Sequence, residues 1–268
     1  MKTCGWLVLA ICFTGVADAG IVGYRVEPLA SFPPPRDTGG YHVGSVPTAD
    51  GDHAVVWHGS AGPKIDLNGA NYNSVADATD GVAVVGEAQA DAALWTRFSA
   101  DSYVNLAPVN SLESEATCLW NGYQAGWAYI VHFHQAALWH GSADSFIDLH
   151  PAGYDESQIN DINGGFAVGV ATANEDTRDP RAVGLVWLNP FDGSKPLNLT
   201  PLSHANDTVA LAIDADGTIF GYADEQPVRW VPIRATAVPL PSAVYSGAVG
   251  LLVAFALARR ATAQTARA

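Results

Sequence analysis

Short apolar runs that end in tryptophan recur through the middle of the chain. They are His53-Ala-Val-Val-Trp57, Asp91-Ala-Ala-Leu-Trp95, Gln135-Ala-Ala-Leu-Trp139, Arg181-Ala-Val-Gly-Leu-Val-Trp187 and Gln226-Pro-Val-Arg-Trp230. Their tryptophans are spaced by 38, 44, 48 and 43 residues. After four of them comes a second run ending in leucine: Lys64-Ile-Asp-Leu67, Tyr103-Val-Asn-Leu106, Phe146-Ile-Asp-Leu149 and Pro196-Leu-Asn-Leu199. A third recurring feature is a turn with two nearby glycines, seen as Gly40/Gly44, Gly81/Gly86, Gly122/Gly126, Gly165/Gly169 and Gly217/Gly221. Asp or Asn precedes the first glycine in Asp80-Gly81, Asn163-Gly164-Gly165 and Asp216-Gly217. Such dipeptides favour the primed turns whose twist matches a hairpin. Each unit therefore reads as about four short strands joined by hairpins.

A period near forty residues with four strands per unit predicts an all-β fold, a single β-propeller. One four-stranded sheet cannot bury both of its faces, whereas stacked sheets can, and the tryptophans are expected to pack between neighbouring units. The pattern opens at residues 24–29, which match the leucine-ending run, and ends near residues 228–231, which match the tryptophan-ending run. Joining the two completes a fifth unit, so five four-stranded blades closed by pairing of the N- and C-terminal strands are expected. An open stack of hairpins or an irregular β-sandwich is the alternative. The third unit departs most from the pattern, at Trp120, Trp127 and the run 128–134.

The two ends differ from the middle. Lys2, an apolar run over residues 6–16 and a small-x-small site at Ala17-Asp18-Ala19 predict a signal peptide over residues 1–19, cleaved before Gly20. Only Cys118 remains after cleavage, so no intrachain disulfide is expected; in its apolar stretch it reads as a small buried hydrophobe. The repeat domain then covers residues 20–234. Between residues 20 and 238 stand 26 acids against 9 bases, a net charge near −17. That surface repels phosphate backbones and argues against nucleic acid as a partner. Residues 235–268 carry a proline-marked break, an uncharged run at 242–258 and then Arg259-Arg260. Seventeen helical residues would span ~26 Å, slightly less than a ~30 Å hydrocarbon core. A C-terminal transmembrane helix is expected there, with the basic pair on the cytoplasmic side.

Two resemblances follow from these residues. Ala137-Leu138-Trp139, Ile147-Asp148-Leu149, Ser157, Ile159-Asn160-Asp161 and Val168-Gly169 resemble HAF-type extracellular repeats, although no copy carries the His-Ala-Phe of that family and His53-Ala54-Val55 comes nearest. That resemblance implies a secreted β repeat. Val238-Pro239-Leu240-Pro241, the apolar run and Arg259 with Arg260 resemble a PEP-CTERM sorting signal in its Val-Pro-Leu-Pro variant. It implies recognition by an exosortase, cleavage near the motif, and release to the bacterial envelope or extracellular matrix. The chain departs from that pattern in Leu240 and in the residues 261–268 that follow the arginines.

Candidate chemistry is sparse. His132-Phe-His134 would place two imidazoles on one strand face, without a third metal ligand nearby. Asp214-Ala-Asp216-Gly217 is a fragment of a calcium loop that coincides with the repeat's own turn. Propeller glycosidases need converging carboxylates, and no spacing singles out a set. No catalytic residue, metal or other cofactor is assigned. The expected role is structural or adhesive in the envelope. The alternatives are a carbohydrate-binding propeller using Tyr72, Tyr103 and Tyr154, with matrix polysaccharide as partner, or a polysaccharide hydrolase.

Overall fold

A computed structural model describes residues 20–33, 36, 38–69, 73–173, 181–199, 201–202 and 205–235. The chain divides into two compact units, one of residues 21–233 and one of residues 1–20 with 234–268. In the latter only Gly20, Arg234 and Ala235 are described, and the Ala235 amide donates to the Gly20 carbonyl at 3.1 Å.

Residues 21–233 form strands connected mainly by tight turns. The first sheet holds β2 (Tyr41–Thr48), β3 (Gly51–His58) and β4 (Ile65–Asp66). The second holds β5 (Ser74–Thr79), β6 (Val84–Ala88), β7 (Asp91–Trp95) and β8 (Tyr103–Asn105). The third is built from β9 (Ser114–Trp120), β10 (Tyr123–Ile130), β11 (Phe133–Trp139) and β12 (Ile147–Asp148). The fourth contains β13 (Glu156–Asn163), β14 (Phe166–Ala173), β15 (Arg181–Trp187) and β16 (Leu197–Asn198). In the fifth, β17 (Thr208–Ile213), β18 (Ile219–Ala223) and β19 (Gln226–Arg234) are joined by β1 (Ile21–Pro28), in the order β1-β19-β18-β17.

The expectation of a single closed propeller with a C-terminal transmembrane helix requires correction. The all-β class holds. The strands, however, form five separate antiparallel sheets, four of four strands and one of three, and none closes on itself. The physical reason lies in where the ladder hydrogen bonds go. They are spent between strands of one unit, and neighbouring sheets meet through side chains rather than through a shared ladder. Among the described residues no helix is long and apolar enough to cross a membrane, and residues 242–258 lie outside them.

Four apolar cores lie between consecutive sheets, and each encloses one of the repeated tryptophans. Trp95 lies between the first and second sheets, Trp139 between the second and third, Trp187 between the third and fourth, and Trp230 between the fourth and fifth. All four are at most 1 % exposed. The Trp95 indole N–H donates to the Leu67 carbonyl at 2.8 Å, whereas those of Trp139 and Trp187 have no acceptor among the described residues. Those two are held by their apolar surface alone.

A second device joins the same seams. The first residue of β5 and of β9, the second of β13 and the first of β17 are hydroxyl residues that accept a backbone N–H from the tryptophan-ending strand of the preceding sheet. Ser74 Oγ accepts from Ala54 at 3.0 Å, Ser114 from Ala92 at 2.9 Å, Ser157 from Ala136 at 2.9 Å, and Thr208 Oγ1 from Gly184 at 2.8 Å. Each donor stands three residues before its tryptophan. The corresponding residue before Trp230 is Pro227, which has no amide hydrogen, so the fifth sheet cannot offer this bond.

Each of the four four-stranded sheets also has a bulge, between β5 and β6, β9 and β10, β13 and β14, or β17 and β18. The ladder shifts register between Ala76 and Ala78, between Ala125 and Gly126, between Ile159 and Asp161, and between Ala210 and Ala212. There a first-strand carbonyl, that of Val75, Glu115, Gln158 or Val209, presses on Gly86, Gly126, Gly169 or Gly221, and a Cβ on any of these glycines would overlap it. The first sheet lacks a strand in this place. The stretch ahead of β2 carries Pro33-Pro34-Pro35, three successive residues without an N–H to give to a ladder.

Candidate functional site

The first strands of the second to fifth sheets, together with Phe32, Pro33, Arg36, Thr38 and the start of β2, line a cavity of about 820 Å³. Its wall alternates aromatic and polar groups. Phe32, Tyr41, Trp57, Trp120 and Phe220 supply rings, and Asp77, Asp80, Asn160, Asp161 and Asp214 are among its polar groups. Trp57 is the repeated tryptophan that is not enclosed. It is half-buried, stacks on His42 at 5.6 Å between ring centroids, and carries the Lys64 ammonium 5.4 Å above its face.

The polar wall is largely tied across the seams. Thr117 Oγ1 donates to the Ile159 carbonyl at 2.9 Å, and Asn160 Nδ2 donates to the Ala210 carbonyl at 2.7 Å. Asp161 is the most heavily engaged group. Its oxygens accept the amides of Ile162 and Ile213, both at 2.8 Å, and Arg36 Nη2 lies 2.7 Å from each of them. Arg36 also donates to the carbonyls of Ile162 and Ile213 at 3.3 and 3.4 Å. One arginine from the proline-rich segment thus bridges the fourth and fifth sheets. Burial raises the Asp161 carboxyl above its ordinary value, while Arg36 and the two amides pull in the other direction.

Asp77 occupies the place in β5 that Thr117 and Asn160 occupy in β9 and β13, three residues after the seam hydroxyl. Those two positions donate a hydrogen bond to the next sheet. An aspartate does so only when protonated. Burial against the wall, the charge of Glu115 and a hydrogen bond to its carboxyl push Asp77 up to about 7, with Glu87 adding to the effect. Solvent still reaches Asp77 through the cavity. Glu115 is fixed from its other side by the Trp127 indole N–H at 2.9 Å. The charge of Glu115, across the seam between the second and third sheets, thus favours the protonated form of Asp77. Cys118, 5 % exposed beneath the wall, is an inert thiol: burial, and then the charge of Asp161, raise its pKa.

The residues singled out by sequence are distributed differently. Tyr103 packs on Trp95 at 6.0 Å at the first seam, and Tyr154 belongs to the core of the third seam, where its hydroxyl accepts from Asn198 at 2.8 Å. They do not share a wall, and Tyr72 lies outside the described residues. So do Ala17 and Ala19 of the cleavage site and Val238, Pro239, Leu240, Pro241, Arg259 and Arg260 of the sorting motif. His132 sits in the turn before β11 at a φ of 80°, so it does not share a strand face with His134, whose ring lies 4.3 Å from that of Trp127. Among the described residues no group of three or more His, Cys, Asp or Glu is placed to hold a metal. At Asp214–Gly217 the Gly217 amide donates to the Asp214 main-chain carbonyl and the Thr218 amide to Asp216 Oδ1, both at 2.9 Å, which accounts for the Asp216 carboxylate as a turn former.

Sequence reading missed Arg36, Asp77 with Glu115, and the exposure of Trp57. The one available signal was the proline run, which marks the first unit as incomplete. No protein-family model matches the chain, and no curated protein matches it significantly.

Proposed function

We propose that this chain is an exported, surface-sorted bacterial envelope or matrix protein with an adhesive role, and that it holds its ligand in the cavity at the first strands. Delivery rests on the signal peptide and on the resemblance of the tail to a PEP-CTERM signal, with an exosortase as the processing partner. The adhesive role rests on one observation. The cavity is large and lined by rings, and its most heavily engaged acid, Asp161, is committed to structure through Arg36 and two amides. A glycosidase pair needs carboxyls about 5–9.5 Å apart with a sugar or water between them. Asp161, engaged on both oxygens, is not free to serve as one of such a pair, which favours recognition over hydrolysis.

Two measurements test the reading. Intact mass of the protein from the medium or matrix of its host should correspond to a chain from Gly20 to a cleavage point near Pro241; a full-length tail retained in the membrane fraction would remove the sorting claim. The purified protein should adhere saturably to host matrix, and Ala212→Trp, which fills the cavity, should abolish adhesion while the circular dichroism spectrum is unchanged. Undiminished adhesion of the folded variant would move the ligand elsewhere.

A further inference from the structure

The empty first-strand place in the first sheet is prepared to receive a strand. Among the described residues β2 pairs with β3 and with no strand on its other edge. The corresponding edges of β6, β10, β14 and β18 are all occupied. Gly44 carries the strongest indication. It stands opposite Val55, two residues before Trp57, as Gly86, Gly126, Gly169 and Gly221 stand opposite the residues two before their own tryptophans. In those four a bulged first-strand carbonyl fills the space that a side chain would take. At Gly44 no such carbonyl is present, and a Cβ would meet only the Trp57 ring, at 3.7 Å. The notch exists without the strand that elsewhere requires it. The chain's own preceding segment, with three successive prolines, cannot pair there as a regular strand. Trp57 stays half-buried beside the same place, where the other four tryptophans are covered.

We propose that the ligand of this cavity is an extended polypeptide segment with basic side chains, which adds to the free edge of β2 across His42, Val43 and Gly44. The proposal rests on the reading of the cavity as the ligand site and names its partner class. An open ladder edge recognises main chain, and every extended peptide carries the matching N–H and C=O groups. Specificity comes from the walls. Asp80 and Asp214 face the same space, and its single described arginine, Arg36, is neutralised by Asp161. A strand that alternates apolar and basic residues would lay one face against Trp57 and direct the other toward these acids.

The test uses fluorescence anisotropy of the full-length protein in mild detergent with a fluorescein-labelled nine-residue peptide of alternating valine and lysine. Saturable binding is expected. Gly44→Ala should weaken it by at least about tenfold, equivalent to about 1.4 kcal/mol, because the new methyl blocks the bulged carbonyl. The same variant should melt as the wild type does, since its methyl meets only an ordinary contact. A peptide N-methylated at alternate amides should fail to bind, and a glutamate version should bind more weakly than the lysine one. Equal binding by Gly44→Ala or by the N-methylated peptide would overturn strand addition. Matrix adhesion that persists without peptide binding, or a glycan array signal in its place, would also overturn it and leave the adhesive reading standing. Peptide binding without matrix adhesion would keep the strand site and remove the adhesive role.

Discussion

Removing one seam hydroxyl should cost more than its size suggests. Ser114 is fully buried, and its Oγ is the acceptor for the Ala92 amide at 2.9 Å. In Ser114→Ala that N–H faces apolar neighbours with no acceptor. Leaving a buried donor unpaired costs about 1–3 kcal/mol. For a domain of this size, 1 kcal/mol lowers the melting temperature by roughly 2–4 °C, so a fall of about 2–12 °C is expected. Thr208→Val is the cleaner replacement, because it keeps the side-chain shape and deletes only the hydroxyl that accepts from Gly184. Ser157→Ala should cost the most, since the same Oγ also lies 2.7 Å from His150 Nδ1 and anchors the loop before β13. Ser31 provides the control. It stands 13 residues before Gly44, as Thr208 stands 13 before Gly221, but it is exposed and Pro227 offers it no donor. Ser31→Ala should leave stability unchanged. Urea unfolding followed by tryptophan fluorescence gives the midpoint, and amide exchange at Ala92 reports the seam directly. Losses below about 0.5 kcal/mol at all three buried positions, or an equal loss at Ser31, would refute the seam argument.

Three further outcomes follow. Arg36→Met leaves Asp161 without its cation but with two amide donors; a loss of about 1–3 kcal/mol is expected at pH 7, below the cost for a fully buried pair because Arg36 is partly exposed. That loss should shrink as the pH falls and Asp161 takes up a proton, so urea midpoints that differ equally at pH 4 and pH 7 would contradict the role given to Arg36. Asp77 has a folded pKa of about 7, above its unfolded value of 3.8, so its ionisation disfavours the folded state progressively between those two values and to a constant extent above them. Asp77→Asn should therefore raise the melting temperature more at pH 8 than at pH 4, and a gain independent of pH would reject the raised pKa of Asp77. Cys118 should resist a disulfide-exchange reagent at pH 8 in the native protein and react fully in 6 M guanidinium (about the usual unfolding concentration); rapid labelling of the native state would contradict its burial.

The tryptophan runs were legible because a buried ring at the end of a third strand has to be large and apolar in every unit, and four of the five lie where the pattern places them. The second glycines were legible as turns but not as notches. Their cause is a carbonyl from a neighbouring strand, which leaves no local trace in the sequence. The seam hydroxyls were hidden for a related reason. A serine ahead of an apolar run reads as turn chemistry, and only the backbone of the previous sheet reveals its donor. Asp77 and Glu115 are 38 residues apart in sequence and meet only because adjacent sheets stack. The tyrosine platform failed because Tyr103 and Tyr154 belong to different seams. In the third unit the apparent break in pattern resolves into a complete sheet, with Trp120 turned to the cavity and Trp127 clamped to Glu115.

The placing of β1 beside β19 has a consequence for timing. Every other sheet is assembled from neighbouring hairpins, so it can form as soon as its own stretch of chain is free. The fifth waits for two segments about 200 residues apart, with Leu29 donating to the Pro227 carbonyl at 2.9 Å only when both are present. During synthesis the amino end emerges first. Residues 21–28 would then remain an unpaired strand, with Val22 outward, until nearly all of the repeat region has been made. That interval is when the chain is most open to pairing with the wrong neighbour, and it ends with the arrival of residues 226–234.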